Sequence, residues 1–310
     1  MADFAYSLND PFPAECRGGA VTLGNFDGVH RGHQALLAEM IREARRLGGP
    51  AVAVTFDPPP AFILRPQAFQ PFLTTVPYRC ELLHAAGADH VVTIKTCAEL
   101  LNLEARDFFE QILRDGFQAK AVIEGFNFAF GRGRRGTGEI LKTWGEAAGM
   151  AVTLVAAQFE GGEPISSSRV RTAVLDGNVG LATRLLGRPY RVAGRVTTGH
   201  QRGRSLGFPT ANLTAIENLV PGPGVYAVRA THQGKAWDAA AHLGPRPTFA
   251  EASPSVEIHL LVFDGDLYGQ TLEVDFYKKV REPKSFASID ELKKQIELDV
   301  GMIERTLKSA

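Results

Sequence analysis

Residues 24–33, which read Gly-Asn-Phe-Asp-Gly-Val-His-Arg-Gly-His, contain the residue types that phosphate chemistry needs. They follow an apolar run at 20–23 that is typical of a buried strand, and they precede a helical apolar pattern at 36–47. A glycine-rich turn at such a place presents backbone N–H groups to an anion. His30 and His33 fall at the predicted helix start, where they can donate hydrogen bonds to a phosphate under attack. The alternative is a tight turn with two surface histidines, but two histidines with three glycines and an aspartate at this spacing favour function.

A second candidate phosphate site lies at residues 203–212, which read Gly-Arg-Ser-Leu-Gly-Phe-Pro-Thr-Ala-Asn. Glycines allow the backbone to approach phosphates closely. Thr210 and Asn212 are two residues apart, so they face the same side of an extended chain. Hydroxyl and carboxamide oxygens are hard ligands that suit Mg²⁺ bound together with nucleotide phosphates. A glycine-rich β-turn with a polar edge is the general alternative, but the string Gly-Phe-Pro-Thr-Ala-Asn is more specific.

Three further segments carry weaker signals. Residues 165–171 place three serines and Arg171 at a helix start, which suits a triphosphate, although serine caps are common. Residues 125–131, with three phenylalanines around Asn127, indicate either an aromatic ligand pocket or a strand with one buried face. Residues 132–136 look like an RNA-binding basic tract, but one short run in a neutral chain favours a mobile, solvated or phosphate-facing loop.

The elements that would position these residues differ between the two halves of the chain. The first half alternates predicted strands with predicted helices, the strands at 20–23, 51–56, 90–94, 119–123 and 150–155, and the helices at 36–47, 78–86, 104–114 and 138–148. This alternation predicts a parallel sheet with helices on both faces. Ligands of such sheets bind beyond the carboxyl ends of the strands, which is where residues 24–33 and 125–131 would lie.

The second half consists of short runs rich in Val, Thr, Tyr and Phe, separated by glycine or proline turns. They lie at 190–197, 224–231, 235–243, 256–263 and 270–280. They predict a small antiparallel barrel or sandwich. Ser288 and Glu291 form a capping-box pattern that begins a final amphipathic helix. We therefore predict two domains, residues 1–186 and 187–310.

Composition restricts the partners and the compartment. The chain has 310 residues, with 34 basic and 34 acidic side chains, so bulk electrostatic binding to nucleic acid or a membrane is not expected. The three cysteines lack metal-ligand spacing and are typical of reduced thiols in a cytoplasmic protein. No signal-peptide pattern and no bilayer-spanning apolar segment are found in the sequence. We expect a cytoplasmic protein that has no nucleic-acid or membrane partner.

Together, the motifs resemble those of the prokaryotic bifunctional riboflavin kinase/FMN adenylyltransferase family, the FAD synthetases. The resemblance spans nearly the whole chain and is carried by residues 24–33, 125–131, 165–171, 186–190, 203–212, 223–226, 246–248 and 256–257. It implies an α/β parallel-sheet nucleotidylyltransferase (Rossmann-like) domain, followed by a riboflavin kinase β-barrel with a C-terminal helix. It also implies that ATP phosphorylates riboflavin to FMN, and that a second ATP adenylylates FMN to FAD with release of pyrophosphate.

The resemblance also implies a role for each matching residue. In adenylyl transfer, His30 and His33 would stabilise the transition state, and the ATP-binding residues would be Gly24, Phe26, Asp27, Gly28, Asn127, Ser166, Ser167, Ser168 and Arg171. In the kinase, Glu257 would be the base. ATP would be bound there by Gly203, Arg204, Gly207, Thr210 and Asn212, of which Thr210 and Asn212 would also hold Mg²⁺. The flavin-binding residues would be Phe128, Tyr226 and Arg246. The implied substrates are riboflavin, FMN and ATP.

Three positions depart from the family pattern. Ser168 stands where threonine is usual, Pro59 replaces the histidine of a Phe-x-Pro-His-Pro segment, and His242 replaces a common asparagine. An acid in an apolar strand is costly unless it is used or paired, so Glu257 is either a functional acid or an edge-strand charge, and the residues alone favour the edge-strand charge.

Two other hypotheses remain open on the sequence. The first half could adenylylate another phosphorylated acceptor, with the barrel as a flavin-binding regulatory module. Alternatively, the chain could be a non-enzymatic sensor of nucleotides or flavins that binds RNA through residues 132–135.

Overall fold

The computed structural model describes residues 1–68, 70–197, 208–244 and 255–309. Their contacts divide the chain into two units, one of Met1–Gln70 and Thr75–Ile165 and the other of Pro71–Thr74 and Ser166–Ala310. The second unit thus begins before residue 187, because the preceding residues contact it; for example, the Gly222 N–H donates a 3.0 Å hydrogen bond to the Val174 carbonyl. The functional boundary at 186/187 stays a prediction.

Six parallel strands form the sheet of the first unit. They are β1 (Ala2–Tyr6), β2 (Ala20–Leu23), β3 (Ala51–Asp57), β4 (His90–Lys95), β5 (Ala121–Gly125) and β8 (Ala151–Val155). Two short hairpins lie outside the sheet and pair β6 (Ala129–Phe130) with β7 (Gly136–Thr137), and β9 (Phe159–Glu160) with β10 (Glu163–Pro164). The strand order β1-β4-β3-β2-β5-β8 confirms the predicted parallel sheet, to which β1 adds an edge that was not predicted.

Helices cover both faces of this sheet, as predicted. They are α1 (Arg31–Leu47), α2 (Pro60–Leu64), α3 (Val76–Ala85), α4 (Ala98–Asn102), α5 (Ala105–Phe108), which continues as a π-helical segment Phe109–Gly116, and α6 (Gly138–Ala147). On one face, Leu37 and Met40 of α1 pack into an apolar cluster with the alternate residues of the strands. On the other face, Phe109 and Leu141 belong to a second cluster. These buried layers hold the carboxyl edge of the sheet in place.

A closed antiparallel barrel forms most of the second unit. Its strands are β11 (Tyr190–Thr197), β12 (Ala211–Thr214), β13 (Gly224–His232), β14 (Lys235–Gly244), β15 (Ser255–Leu260) and β16 (Thr271–Arg281), and its helices are α7 (Ser167–Leu175), α8 (Val179–Leu186) and α9 (Ile289–Lys308). The strand order β11-β12-β15-β14-β13-β16 confirms the predicted barrel. Strand β12 was not predicted, because its first two residues lie within the glycine-rich motif.

The predicted capping box begins α9. The Ser288 hydroxyl accepts a 3.2 Å hydrogen bond from the Glu291 N–H, and the Glu291 carboxylate accepts one of 3.2 Å from the Ala287 N–H. Ile303 and Leu307 of this helix are buried in an apolar cluster with Ala227 of β13.

Among the described residues, no helix combines the length and the apolar character needed to cross a bilayer. All three cysteines are free, and burial raises the pKa of Cys16 to about 12.

Candidate active sites

The loop between β2 and α1 has a strained backbone. Phe26 and Val29 adopt φ angles of 46° and 40°, in the left-handed region that is unfavourable for residues other than glycine, and Gly28 has a φ of 83°. The Val29 N–H closes the turn with a 2.9 Å hydrogen bond to the Phe26 carbonyl. Strain of this kind is typical of functional sites. Here it delivers the following residue, His30, to the start of α1.

The His30 ring caps α1 and stacks on His33. Its Nδ1 accepts a 3.3 Å hydrogen bond from the His33 N–H, and the two rings lie 3.6 Å apart, 15° from parallel. A Cβ atom on Gly32 would lie 3.1 Å from the His30 ring, so any larger residue between the two histidines would press against this stack. Because Nδ1 is an acceptor, neutral His30 carries its proton on Nε2, which makes that atom a donor.

The His33 imidazole is kept neutral. Burial lowers its pKa well below the usual 6.5, and the nearby His30 and Arg79 side chains lower it further. The Phe26 ring lies edge-on, 5.1 Å away, and the buried Nδ1 atom of His33 has no hydrogen-bond partner among the described residues. A buried polar atom left unpaired costs about 1–3 kcal/mol. His33 is therefore arranged for something other than stability.

Arg79 of α3 is a buried cation beneath this loop that the sequence analysis did not identify. Its side chain is fully buried, and its guanidinium donates hydrogen bonds of 3.1 Å to the Thr55 hydroxyl and 3.4 Å to the Phe56 carbonyl. The carboxylate of Asp27 lies 4.0 Å away and is also buried. Burial lowers the pKa of Arg79, and the Asp27 charge opposes that shift. Arg79 thus joins the carboxyl end of β3 to the loop that holds the histidines.

Replacing Arg79 by methionine should destabilise the first unit. Removing the cation of a buried charge pair costs about 3–5 kcal/mol. Urea unfolding followed by Trp144 fluorescence, in a Trp237→Phe background, measures the loss. The matched control is Arg46→Met, because Arg46 forms an exposed ion pair with Glu43. That change should cost no more than about 0.5 kcal/mol. Equal effects of the two variants would contradict the role assigned to Arg79.

Residues 125–131 begin at the carboxyl end of β5, the strand next to β2. Asn127 is exposed there, and Phe126 is 59% exposed. The half-buried Phe128 stacks on Phe130 at 5.5 Å and packs against the core, so its assignment to flavin binding stays a prediction. In the basic tract that follows, Arg132 and Arg135 lie 3.3 and 3.7 Å from the Glu104 carboxylate.

The predicted helix start at residues 166–168 is present in the second unit. The Ser166 hydroxyl caps α7 by accepting a 3.3 Å hydrogen bond from the Arg169 N–H, and Ser167 and Ser168 lie in its first turn. The Arg171 guanidinium donates a 3.3 Å hydrogen bond to the Pro71 carbonyl. The triphosphate-binding role of these side chains stays a prediction.

Three polar residues form a row across neighbouring strands of the barrel. Asn212 of β12 lies directly opposite Glu257 of β15, which lies directly opposite His242 of β14. Directly opposite residues share a face, with Cβ atoms about 4.5–5.5 Å apart. The alternate residues, such as Val256 and Leu243, are buried, so the row lies on the outward face. Asn212 and Glu257 were predicted separately from the sequence, and the register brings them together.

A cleft of about 470 Å³ opens near the start of β12, and its described lining contains none of the three row residues. Its lining includes the hydroxyl-bearing Thr210, the carboxylate-bearing Asp264 and the aromatic residues Phe263 and Tyr268. A cleft of this size suits a small organic ligand. Thr210, which precedes β12, is thus accessible from the cleft, as a phosphate- or metal-binding role requires.

Other predicted residues of the second unit are either buried or not described. Tyr226 is fully buried, its hydroxyl donates a hydrogen bond to the Gly222 carbonyl, and its ring packs edge-on against Phe276 at 5.3 Å. Burial raises its pKa. This geometry gives Tyr226 a packing role, and its flavin contact stays a prediction without structural support. The remaining predicted residues Gly203, Arg204, Gly207 and Arg246 lie outside the described residues.

Comparison with known proteins assigns a family to each half of the chain. A family model described as FAD synthetase matches residues 12–169, and one described as riboflavin kinase matches residues 186–307. Proteins named bifunctional riboflavin kinase/FMN adenylyltransferase are similar to nearly the whole chain. The one from Pseudomonas fluorescens is 40% identical, covering 93% of this chain and 92% of its own, and the one from Escherichia coli K12 is 38% identical, covering 91% and 90%.

A solved structure from Streptococcus pneumoniae has a similar fold. It is described as a macrolide-efflux protein and superposes with a TM-score of 0.89 at 30% identity. The match covers 97% of this chain and 99% of that one, so the similarity includes both units.

Proposed function

This chain belongs to the bifunctional riboflavin kinase/FMN adenylyltransferase family, and we propose that it performs the two reactions at separate sites, one in each half of the sequence. The observation that carries this proposal is the location of the two polar constellations. The His30–His33 stack lies in the first unit, and the Asn212–Glu257 row lies in the second. Each constellation has the chemistry of one of the two reactions.

In the first unit, the stacked histidines serve adenylyl transfer. A phosphate oxygen of FMN attacks the α-phosphorus of ATP, the bond to pyrophosphate breaks, and negative charge accumulates on the oxygens in transit. The Nε2–H of His30 and the neutral imidazole of His33 supply donors to those oxygens, and the positive end of α1 adds to them. No covalent intermediate is needed, because positioning and charge stabilisation suffice. We retain the prediction that Gly24, Phe26, Asp27, Gly28 and Asn127 contact ATP.

In the second unit, Glu257 is the general base of phosphoryl transfer. It accepts the proton of the ribityl 5′-hydroxyl as that oxygen attacks the γ-phosphorus of ATP and ADP leaves. Asn212 lies beside it on the neighbouring strand, and Thr210, two residues before Asn212, lines the cleft near the start of β12. The register supports this assignment, because Asn212 lies directly opposite the proposed base.

The side-chain oxygen atoms of Thr210 and Asn212 in the second unit suit a magnesium ion that binds together with the nucleotide. The described part of the chain contains no group of three or more His, Cys, Asp or Glu residues that could hold a metal on its own. Mg²⁺ commonly uses only one or two protein oxygens together with phosphates and water. The Thr210 hydroxyl and the Asn212 amide oxygen would supply those ligands. The bound ion would neutralise phosphate charge during transfer.

Flavin product analysis tests the proposal. Riboflavin supplied with excess ATP and Mg²⁺ should give FMN first and then FAD with one pyrophosphate per FAD, as resolved by chromatography and a coupled pyrophosphate assay. Omitting Mg²⁺ in the presence of EDTA should reduce FMN formation to background. FMN and ATP without riboflavin should still give FAD.

Two outcomes would contradict the proposal. A protein that makes neither FMN nor FAD but binds flavin tightly would be a sensor rather than an enzyme. A protein that adenylylates a different phosphorylated acceptor and ignores FMN would keep the first chemistry but not the proposed substrate.

A further inference from the structure

A buried carboxylic acid that neither proposed reaction uses lies between the two loops of the adenylylation site. Glu124, the penultimate residue of β5, is 1% exposed. Its Oε1 accepts a 2.7 Å hydrogen bond from the Leu23 N–H at the end of β2. The residues that follow Leu23 and Glu124 begin the two loops at 24–33 and 125–131. The side chain thus joins the starting points of both loops.

The sheet forks at this place. Strands β2 and β5 pair at Ala20–Ala121 and Val21–Val122 and then separate. Beyond that point β2 stays paired with β3 as far as Leu23, and β5 stays paired with β8 as far as Gly125. Because β3, β4 and β1 all lie on the other side of β2, the fork is also where the strand order reverses. Ligands of open α/β sheets bind at such a point.

The Glu124 side chain spans this fork in place of a main-chain hydrogen bond. Without it, the Leu23 N–H would lose its acceptor, at a cost of a buried unpaired donor. Burial raises the pKa of Glu124 well above the usual 4.5, outweighing the opposing Leu23 hydrogen bond, so the neutral acid is favoured. A neutral acid can accept the Leu23 hydrogen bond across the fork without adding negative charge beside the phosphates.

We propose that Glu124 is a positioning residue for adenylyl transfer, whose carboxyl group sets the separation of β2 and β5 and with it the distance between the two loops that ATP spans. This inference rests on the proposed adenylyltransferase function of the first unit. In this role Glu124 does not touch the reacting atoms. It acts through the backbone of Leu23 and Gly125.

Three variants separate this role from simple stability. Glu124→Gln keeps an uncharged acceptor of the same length, whereas Glu124→Leu keeps the volume and removes the acceptor. Glu124→Asn keeps the acceptor but is one methylene too short to span the fork. A displacement near 1 Å at an active site costs about 10²-fold in rate. We therefore expect kcat/KM for FAD formation to fall about 10²-fold in the leucine and asparagine variants, to stay near wild type in the glutamine variant, and FMN formation to be unchanged in all three.

The outcomes are distinguishable. Wild-type FAD kinetics in the folded leucine or asparagine variant would overturn the inference, as would an equal loss in the glutamine variant, which keeps the bridge. If Glu124→Leu does not fold, Glu124→Asn and Glu124→Gln still give opposite expectations. If the wild-type protein makes FMN but no FAD, the proposed adenylyltransferase function is wrong. If the wild-type protein makes FAD and all three variants make it at the same rate, only the role of Glu124 is wrong.

Discussion

His33→Ala should abolish FAD formation and leave FMN formation nearly intact. The neutral imidazole of His33 stacks on His30 at the start of α1, and we assign to this stack the side-chain donors for the oxygens of the phosphate under attack. Removing one preorganised donor from such a site costs about 10²–10³ in kcat. Steady-state rates of FMN adenylylation and riboflavin phosphorylation, measured on the same preparation, test both halves of the expectation.

A matched histidine is available as the control. His84 lies in the same unit but at the amino edge of the sheet, where its ring bonds to the Asp3 carboxylate at 2.7 Å and to the Ala88 carbonyl at 3.0 Å. His84→Ala should leave both reactions within a few-fold of wild type. If His33→Ala, still folded by circular dichroism, lost both activities equally, the division into two sites would be wrong.

The low pKa of His33 adds a stability signature to this variant. Its folded-state pKa lies below the unfolded value of 6.5, so the unfolded chain binds the extra proton first as the pH falls. Wild-type stability should therefore decline on acidification through that unfolded pKa. The stability of the His33→Ala variant should decline less over the same pH range. Unfolding followed by circular dichroism at several pH values would therefore report on the same imidazole that the kinetic measurements test.

The sequence predicted the backbone around these sites because local patterns determined it. Neighbouring residues alone predict the strand before residue 24, the turn with its glycines and the amphipathic helix α1. The structure confirms the parallel sheet and the barrel. The interpretation of residues 203–212 as a glycine-rich loop was incomplete, because the four-residue strand β12 begins inside it. A strand that short is established by its partners β11 and β15 rather than by its own composition.

The residues that sequence analysis missed are defined by contacts between distant segments. Glu124 follows an ordinary strand pattern, and nothing in that pattern shows that its carboxyl group bonds to Leu23, which lies about a hundred positions earlier. Arg79 falls in a helix without any motif, and only the packing of α3 brings it to Asp27. The sequence signal that could have found these residues is a charged residue within an otherwise apolar segment. Only Glu257 was singled out on that basis.

The barrel shows how register can sharpen an expectation that family resemblance supplied. Glu257 was proposed as the base by resemblance, and the residues alone favoured an edge-strand charge. In the structure, Glu257 is half-buried in a six-stranded closed barrel and has a paired strand on each side, β12 and β14. An edge strand is therefore the wrong interpretation. Its direct neighbours are Asn212 and His242, so the acid lies in the middle of a polar row.

Glu257→Gln should stop FMN formation while supplied FMN is still adenylylated to FAD. The glutamine keeps the size of the side chain and its place opposite Asn212 but cannot accept the 5′-hydroxyl proton. Loss of a general base costs about 10²–10⁴ in kcat. The KM for ATP should change little, because the Thr210 and Asn212 side chains that we assign to the nucleotide remain in place. Initial rates with riboflavin and, separately, with FMN as the flavin substrate give the comparison.

The control for this variant is Glu273→Gln, on β16 of the same barrel. Glu273 is the more exposed partner of an ion pair with Arg191, whose guanidinium also bonds Asp275, and partly exposed pairs contribute about 1 kcal/mol or less to stability. Both reactions should stay near wild type in that variant. A Glu257→Gln protein that still phosphorylates riboflavin at the wild-type rate would show that another group takes the proton. Because His242 lies directly opposite Glu257, the double variant Glu257→Gln/His242→Asn would then show whether that imidazole is the acceptor.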